Sequence, residues 1–468
     1  MKYKYVVIGA GAAGLVVAIG LAKFKKKVLL IEKSYFGGDC TNFGCIPSKS
    51  LIAASKIAND FNRKNEFGIN IEGNLDFSNV LKNVRDIVEK TRKKEDEIAL
   101  KKLGVDTLKA TAAFLSPNKI EVTQYDSKKH IIEFKKLVIA AGSSPFIPPI
   151  PNLDKTPFLT NETIFNLKNI PKSLIVLGSG AIGCELSQAF QRLGCQVSIV
   201  DIKDKILFNE SQQTSDLLKD IFFKENISLY LSHTPKSVNF KNNEFIVEIS
   251  KNEKTSIIKA DQLLIATGRK PSFSSLNLDN AKIKHTNQKI IVDKFSRTNQ
   301  KHIYAIGDII GPPYFTHVAE HQARAVLLSL ILPLGIKKAI CIKHLPKVTF
   351  TNPEIASIGM NEIEAIEKYG DKHILSISIP IDEIDRSITQ REKNGFINIV
   401  VKKFSSKILG ATIVAERAGE ILSEIYLAMN KNIKLKDLAN IIHPYPTYNI
   451  GIRKAADLWY KSFFRRKK

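Results

Sequence analysis

Two cysteines separated by four residues stand in the run GGDCTNFGCIPSKS, residues 37–50, as Cys40 and Cys45. At that spacing their sulfurs can close a small loop. Pro47 is suited to the first turn of a helix, which the pattern extends to Ile57. Cys45 then falls just before that helix N-terminus. The helix dipole and the nearby ammonium of Lys49 both favour a thiolate there. A thiolate attacks disulfides, binds soft metals, or donates charge to an electron-poor ring. The same spacing also suits half of a zinc site, or two cysteines that are merely close. No second Cys or His pair of matching spacing completes a zinc set, so no resident metal is expected. Cys184 and Cys195 read as small packing residues, and Cys341 carries no functional reading.

The elements that must position this pair announce themselves by an internal repeat. Residues 6–14 read VVIGAGAAG and residues 175–183 read IVLGSGAIG. Each is an apolar strand running into G-x-G-x-x-G and an apolar helix. Each is followed by a second apolar strand ending in an acid, VLLIE to Glu32 and VSIVD to Asp201. The acid comes 18 residues after the third glycine in both copies, from Gly14 to Glu32 and from Gly183 to Asp201. This is a dinucleotide-binding plan, present twice. The first glycine allows a tight turn, and the second lets backbone approach a pyrophosphate. The third lets helix and strand pack closely, and the acid accepts from a ribose hydroxyl. A later pair also matches, LVIAAGSSP at 137–145 with Gly142 and LLIATGRKP at 263–271 with Gly268.

With 468 residues the chain is too long for one core, and three domains are expected. The spans expected are 1–150 and 273–344 for a first nucleotide domain in two parts, 151–272 for a second nucleotide domain, and 345–468 for a closing α+β domain. The stretch Leu51–Val105 reads as mostly helical, with a charged solvated face near Val84–Lys102. Pro145, Pro148, Pro149 and Pro151 mark a linker. Beyond residue 345 the texture is alternating strands, FINIVVKKF and ILGATIVA, with one long helix.

Composition narrows the function class. An odd count of five scattered cysteines argues against a secreted disulfide scaffold and for a reducing compartment. The formal charge of +24 is spread along the chain rather than gathered in one stripe with aromatics, so nucleic acid is not an expected partner. The run FFRRKK at Phe463–Lys468 reads as a solvated tail. Residues 5–22 are apolar enough to suggest a membrane span or signal peptide, but Gly9, Gly11 and Gly14 mark a strand-to-helix turn, and four lysines follow. The stretch Ala325–Ile336 is too short to span. No membrane association is expected, and the location expected is cytoplasmic.

The motif GGDCTNFGCIPSK closely resembles the active-site motif of the class I pyridine nucleotide–disulfide oxidoreductases. The resemblance runs along nearly the whole chain. The GDC form and HPYPT at 443–447 look most like the mercuric-reductase-like branch, with the dihydrolipoamide dehydrogenase branch beside it. The resemblance implies an α/β fold with two Rossmann-like domains, one for FAD and one for NAD, and a C-terminal α+β domain that makes a homodimer. It implies FAD held by Gly9, Gly11, Gly14, Glu32, Gly142 and Asp308 of YAIGD. Lys49 and Glu185 match the family's ion pair beside the flavin. His317 of FTHVAEHQAR falls on a helix packing near the flavin, in a structural or cofactor-positioning role. NAD(P)H would lie on Gly178, Gly180, Gly183 and Gly268. Asp201 would favour NAD(H) over NADP(H), with Lys203 and Lys205 nearby working against that preference. Cys45 matches the charge-transfer thiol and Cys40 the interchange thiol. Electrons would pass from NAD(P)H through flavin to a Cys40–Cys45 disulfide, then to a disulfide or soft-metal acceptor.

The sequence departs from the family's disulfide reductases at its acid/base pair. Those end with His-Pro-Thr and a Glu five residues after the His. Aligning on Pro446-Thr447 puts Tyr445 at the His position and Ile450 at the Glu position. Isoleucine orients no base, and a phenol with a pKa near ~10 is poorly matched to proton transfer at neutral pH. His443, two residues earlier, is the candidate substitute. A tyrosine here resembles mercuric reductase, where it helps hold the metal. That enzyme's C-terminal cysteine pair has no counterpart in WYKSFFRRKK, and its N-terminal metal-binding extension has none here either, so efficient mercury detoxification is not expected. Two alternatives stand beside a soft-metal or disulfide reductase. One is a dihydrolipoyl dehydrogenase with an altered acid/base. The other is a flavin- and NAD-binding regulatory protein whose catalysis has decayed.

Overall fold

The structure, a computed structural model, describes residues 1–332, 338–340, 342 and 344–464. Cys341 and residues 465–468 of the basic tail lie outside them, as do parts of the stretches 325–336 and 273–344 read above.

The first unit opens with β1 (Lys2–Ile8), α1 (Ala12–Lys23) and β2 (Val28–Glu32). It continues through α2 (Gly38–Asn42), α3 (Cys45–Asn62), α4 (Phe77–Arg92) and α5 (Glu97–Lys102). Three strands follow, β3 (Asp106–Ser116), β4 (Lys119–Gln124) and β5 (Lys129–Ile139), then β6 (Ser143–Pro145). The second unit holds β7 (Ser173–Leu177), α6 (Ala181–Arg192), β8 (Gln196–Asp201), α7 (Gln212–Lys224) and β9 (Ser228–Leu231). It continues with β10 (Thr234–Lys241), β11 (Glu244–Lys251), β12 (Lys254–Ala260), β13 (Gln262–Ile265) and β14 (Arg269–Pro271). The chain then returns to the first unit through the short β15 (His285–Thr286), β16 (Lys289–Ile290), β17 (Ile303–Ala305) and α8 (Thr316–Ile331). The third unit contains β18 (Lys347–Thr349), β19 (Glu354–Gly359), α9 (Glu362–Tyr369), β20 (Ile374–Pro380) and α10 (Asp385–Thr389). It closes with β21 (Phe396–Lys402), β22 (Ile408–Ala415), α11 (Ala418–Lys431), α12 (Leu435–Leu438) and α13 (Ile450–Phe464).

The fold is mixed α/β, as expected. In the first unit β3, β2, β1, β5 and β17 lie parallel in that order, and β4 joins β3 to β5 antiparallel. In the second, β9, β8, β7 and β13 repeat the parallel plan, and β10–β12 form an antiparallel sheet. Every residue of β2 is buried, as a parallel strand covered on both faces requires. The third unit is a five-stranded antiparallel sheet, β18-β19-β22-β21-β20, under α11 and α13.

Three expectations need correction. The helix expected to open at Pro47 begins at Cys45 itself, with Gly44 as its N-cap, and runs to Asn62 rather than Ile57. Pro47 therefore sits inside the first turn, where its missing N–H costs no helical bond. The charged stretch at 84–102 is two helices, α4 and α5. Asp96 stops the run by capping α5, accepting from Ala99 N at 2.8 Å. The third unit has two long helices, α11 and α13, where one was expected.

Candidate active site

The two glycine motifs fold into two cradles with the same geometry. Gly9 and Gly178 have φ of +99° and +106°. A Cβ there would lie 2.3 Å from Ala140 O and 2.5 Å from Ala266 O, so only glycine lets β1 and β7 turn beneath their neighbours. A Cβ on Gly14 or Gly183 would lie 1.8 or 2.0 Å from the carbonyl oxygen of Gly9 or Gly178, so these glycines let α1 and α6 close on their strands. The middle glycines differ. A Cβ on Gly180 would meet nothing within 4 Å, and one on Gly11 only Gly38 Cα at 3.8 Å. That open space faces helix N-termini, where a pyrophosphate would lie. The acids match too. Glu32 accepts from Ala10 N at 2.7 Å and Ser34 N at 2.8 Å. Asp201 accepts from Ser179 N at 2.6 Å and Lys203 N at 2.8 Å, and also from Ser179 Oγ at 2.6 Å. Both acids are thereby held at the cradle rim. The residues present fit a dinucleotide in each cradle.

Both cradles open into one cavity of about 1560 Å³, larger than the ~300–1,000 Å³ of a single small-molecule site. Its walls run from Gly11 and Glu32 past Cys40 and Cys45 to Gly180 and Asp201. The cysteines thus lie where the cradles meet.

Cys45 is the first residue of α3, and its sulfur lies 3.8 Å from Thr316 Oγ1, in the first turn of α8. Two helix N-termini therefore converge on it. Its pKa is lowered to about 6, first by a hydrogen bond from Cys40, then by Thr316 and the Lys49 charge, against the opposing effects of burial and Asp39. The Cys40 thiol is driven upward by the same bond and by burial. The bond between them favours the charge on Cys45 and the proton on Cys40. Cys184 and Cys195 are buried at 0% and 1% exposure, and burial pushes both thiols up, so they are inert.

Around the pair lie two charge networks. Lys49 Nζ is 2.8 Å from Glu185 Oε2 on α6 and 4.3 Å from the Phe350 ring centroid. Glu185 Oε1 accepts from Phe350 N at 2.8 Å, so the third unit reaches this pair. On the other side, Arg269 Nη2 is 3.1 Å from Asp39 Oδ1, beside Cys40. Arg269 Nε donates to Ser143 Oγ at 2.7 Å, and that hydroxyl donates to Asp308. Burial raises the Asp308 carboxyl, with Ser143 and Arg269 opposing. Strands β6 and β14 pair antiparallel here, so Gly142 and Gly268 flank a ribbon joining the two nucleotide units. His317 lines the cavity, its ring stacked on Phe315 and its Nε2 3.0 Å from Pro346 O.

Tyr445 and His443 lie apart from this cavity in the same chain. Tyr445 is 71% exposed and donates to Asp385 Oδ2 at 2.8 Å, and that bond holds its phenol above the ordinary value. His443 is buried, with Nε2 2.8 Å from Glu424 Oε1 and Nδ1 3.0 Å from Ile441 O. Both ring nitrogens are turned to partners within the third unit, and neither faces a thiol. The geometry disfavours His443 as the substitute base. Asp39, Ser143, Arg269, Thr316 and Phe350 had no place in the sequence reading as site residues. Arg269 and Ser143 stood inside the quoted repeat, which was the available signal.

Residues 3–323 match the family model described as pyridine nucleotide-disulphide oxidoreductase, and residues 345–456 match the dimerisation domain of that family. A mercuric reductase of Lysinibacillus sphaericus is 32% identical over 466 residues, covering 98% of this chain and 84% of the relative. A dihydrolipoyl dehydrogenase of Geobacillus stearothermophilus is 32% identical over 455 residues, covering 97% of this chain and 95% of the relative. The Cu(II) complex of the HOCl-induced flavoprotein disulfide reductase RclA from Escherichia coli superposes with a TM-score of 0.89 at 27% identity, covering 98% of this chain and 99% of that one. Among the described residues, no helix is long and apolar enough to cross a membrane.

Proposed function

The chain belongs to the pyridine nucleotide–disulphide oxidoreductase family, and from that premise we propose that it is an NADH-dependent flavoprotein whose Cys40–Cys45 pair hands electrons to a soft metal cation. The observation that carries this reading is the cysteine pair at the junction of two dinucleotide cradles in one cavity. Bound FAD would accept a hydride equivalent from the nicotinamide and pass the electron pair to a disulfide.

The chain's own residues do the rest. Gly9, Gly11, Gly14 and Glu32 would hold the FAD pyrophosphate and ribose, with Gly142 and Asp308 at the far wall. Gly178, Gly180, Gly183 and Gly268 would hold NAD(H). The Asp201 carboxylate accepts from ribose hydroxyls and repels a 2′-phosphate, which favours NADH over NADPH. Lys49, held by Glu185, presents its ammonium beside Cys45 and stabilises that thiolate. Reduction of the Cys40–Cys45 disulfide to a Cys45 thiolate and a Cys40 thiol takes two electrons and one proton, the content of one hydride. Reformation returns two electrons to one Hg(II) or to two Cu(II) ions as one proton leaves.

Proton handling at the cysteine pair favours a metal acceptor. Disulfide exchange needs a group that takes the proton of the interchange thiol and returns it to the leaving thiolate. Tyr445 is bound to Asp385, and His443 has both nitrogens engaged. A soft cation displaces the Cys40 proton to solvent as it binds sulfur, and no returning base is needed. A dihydrolipoyl dehydrogenase activity is the second reading, favoured by the 95% coverage of that relative. A homodimer completed through the third unit follows from its dimerisation domain.

The test is anaerobic NADH oxidation with Hg(II), Cu(II), lipoamide and glutathione disulfide as acceptors. Turnover with a metal ion that Cys40→Ala abolishes is expected. Lipoamide turnover matching or exceeding the metal rate would overturn the assignment of the acceptor.

A further inference from the structure

One face of α6 carries Glu185, Gln188 and Arg192, at spacings of three and four that place them in a row. All three reach the same short segment of the third unit, residues 350–352. Glu185 Oε1 accepts from Phe350 N. Gln188 Oε1 accepts from Asn352 N at 2.7 Å, and its Nε2 donates to Asn352 O at 2.9 Å. Arg192 Nη2 donates to Asn352 O at 3.4 Å. Behind them Glu225 Oε1 accepts from Gln188 Nε2 at 3.1 Å and Arg192 Nη2 at 2.7 Å. The Asn352 side chain continues the chain of contacts, donating to Glu416 Oε2 at 2.8 Å.

Gln188 is 3% exposed, and a buried amide is satisfied only by specific partners. Here it both accepts from and donates to the backbone of one residue, as a neighbouring strand would. That pair of hydrogen bonds fixes the position and the rotation of Asn352, and through two further residues of chain it aims the Phe350 N–H at Glu185. The same segment places the Phe350 ring against the Lys49 ammonium. Glu185 is thus oriented by the third unit, although its helix starts in the NAD cradle.

We propose that Gln188 is a positioning residue for the Lys49–Glu185 pair: by gripping Asn352 on both sides it sets where Phe350 holds Glu185, and hence where Lys49 stands beside the cysteine pair. The inference rests on the reading of Lys49 and Glu185 as the cofactor-side ion pair. It implies that the seating of the dimerisation unit tunes electron transfer in the nucleotide units.

The test is single-turnover flavin reduction by NADH in the FAD-loaded protein, across NADH concentration. Gln188→Met keeps the length and removes both hydrogen-bonding atoms. Its limiting rate should fall about tenfold, while half-saturation by NADH stays unchanged because the N-terminus of α6 is untouched. Gln188→Asn keeps the amide but is one methylene too short to make both bonds to Asn352, and should slow the step to an intermediate degree; it serves if the methionine variant folds poorly. Phe222→Ala, a core change in the same unit, should lower the melting temperature without changing the limiting rate. Wild-type rates in both Gln188 variants, or equal slowing in Phe222→Ala, would overturn the proposal. Lys49→Ala separates the two levels. If it is slow while the Gln188 variants are normal, the positioning role alone fails. If it is normal, the ion-pair reading fails and takes the proposal with it.

Discussion

Replacing Cys40 by alanine tests how the thiolate at residue 45 is made. The largest contribution lowering Cys45 to about 6 is the hydrogen bond from the Cys40 thiol. A bond to a charged group contributes ~1.5–3 kcal/mol, and ~1.36 kcal/mol is one pKa unit. S–H is a weak donor, so the lower end applies, and loss of the bond should raise Cys45 by about one unit. The thiolate fraction at pH 7 would then fall from about 90% to about 50%. The assay is the pH dependence of alkylation of the reduced protein, with residue 45 followed by mass mapping. The rate at pH 7 should drop about twofold, and the midpoint should move from about 6 to about 7. Cys40→Ser retains a hydroxyl donor and should stay near the wild-type midpoint. A Cys40→Ala midpoint unchanged from wild type, or a wild-type midpoint near the ordinary ~8.5, would refute the reasoning.

Further outcomes follow from the same geometry. Asp39→Asn removes a carboxylate that raises Cys45, so the alkylation midpoint should shift downward, opposite in sign to Cys40→Ala. Gly14→Ala forces a Cβ to 1.8 Å from Gly9 O, so the protein should lose FAD on gel filtration and melt well below wild type. Asp201→Ser should raise the KM for NADH by about tenfold, ~1.4 kcal/mol, and narrow the gap to NADPH in steady-state assays. Glu354, raised to about 7 chiefly by burial, accepts from Gly419 N at 3.1 Å. A carboxyl with a raised folded pKa favours the fold below the unfolded pKa of ~4.3 and loses that contribution as pH rises through about 7. Glu354→Gln should therefore raise the urea midpoint at pH 8 relative to wild type, with little difference at pH 4.5.

The cradles were legible because their constraints are local. A tight turn, a close helix–strand approach and a rim acid each demand a residue type at a fixed offset, and Gly9, Gly14 and Glu32 match Gly178, Gly183 and Asp201 in local geometry as in sequence. The start of α3 was misplaced because Pro47 fits any position of a first turn, so its presence did not locate the cap at Gly44. The Lys49–Glu185 pair spans 136 residues, and only the family resemblance joined its halves. Phe350 acts through a backbone N–H brought in by the third unit, and Thr316 through a hydroxyl 271 residues along the chain from Cys45; neither leaves a local pattern. The carboxylate partner of His443 is Glu424, 19 residues upstream on α11, where a search for a downstream acid does not look.

Electrons from NADH should arrive at one pair of sulfurs. The direct measurement is anaerobic mixing of the oxidised, FAD-loaded protein with one equivalent of NADH, a quench with alkylating agent in denaturant, and mass mapping of residues 40 and 45. Before NADH the two should be linked to each other, and after it both should be alkylated. A pair whose thiol state is the same before and after NADH would contradict the account.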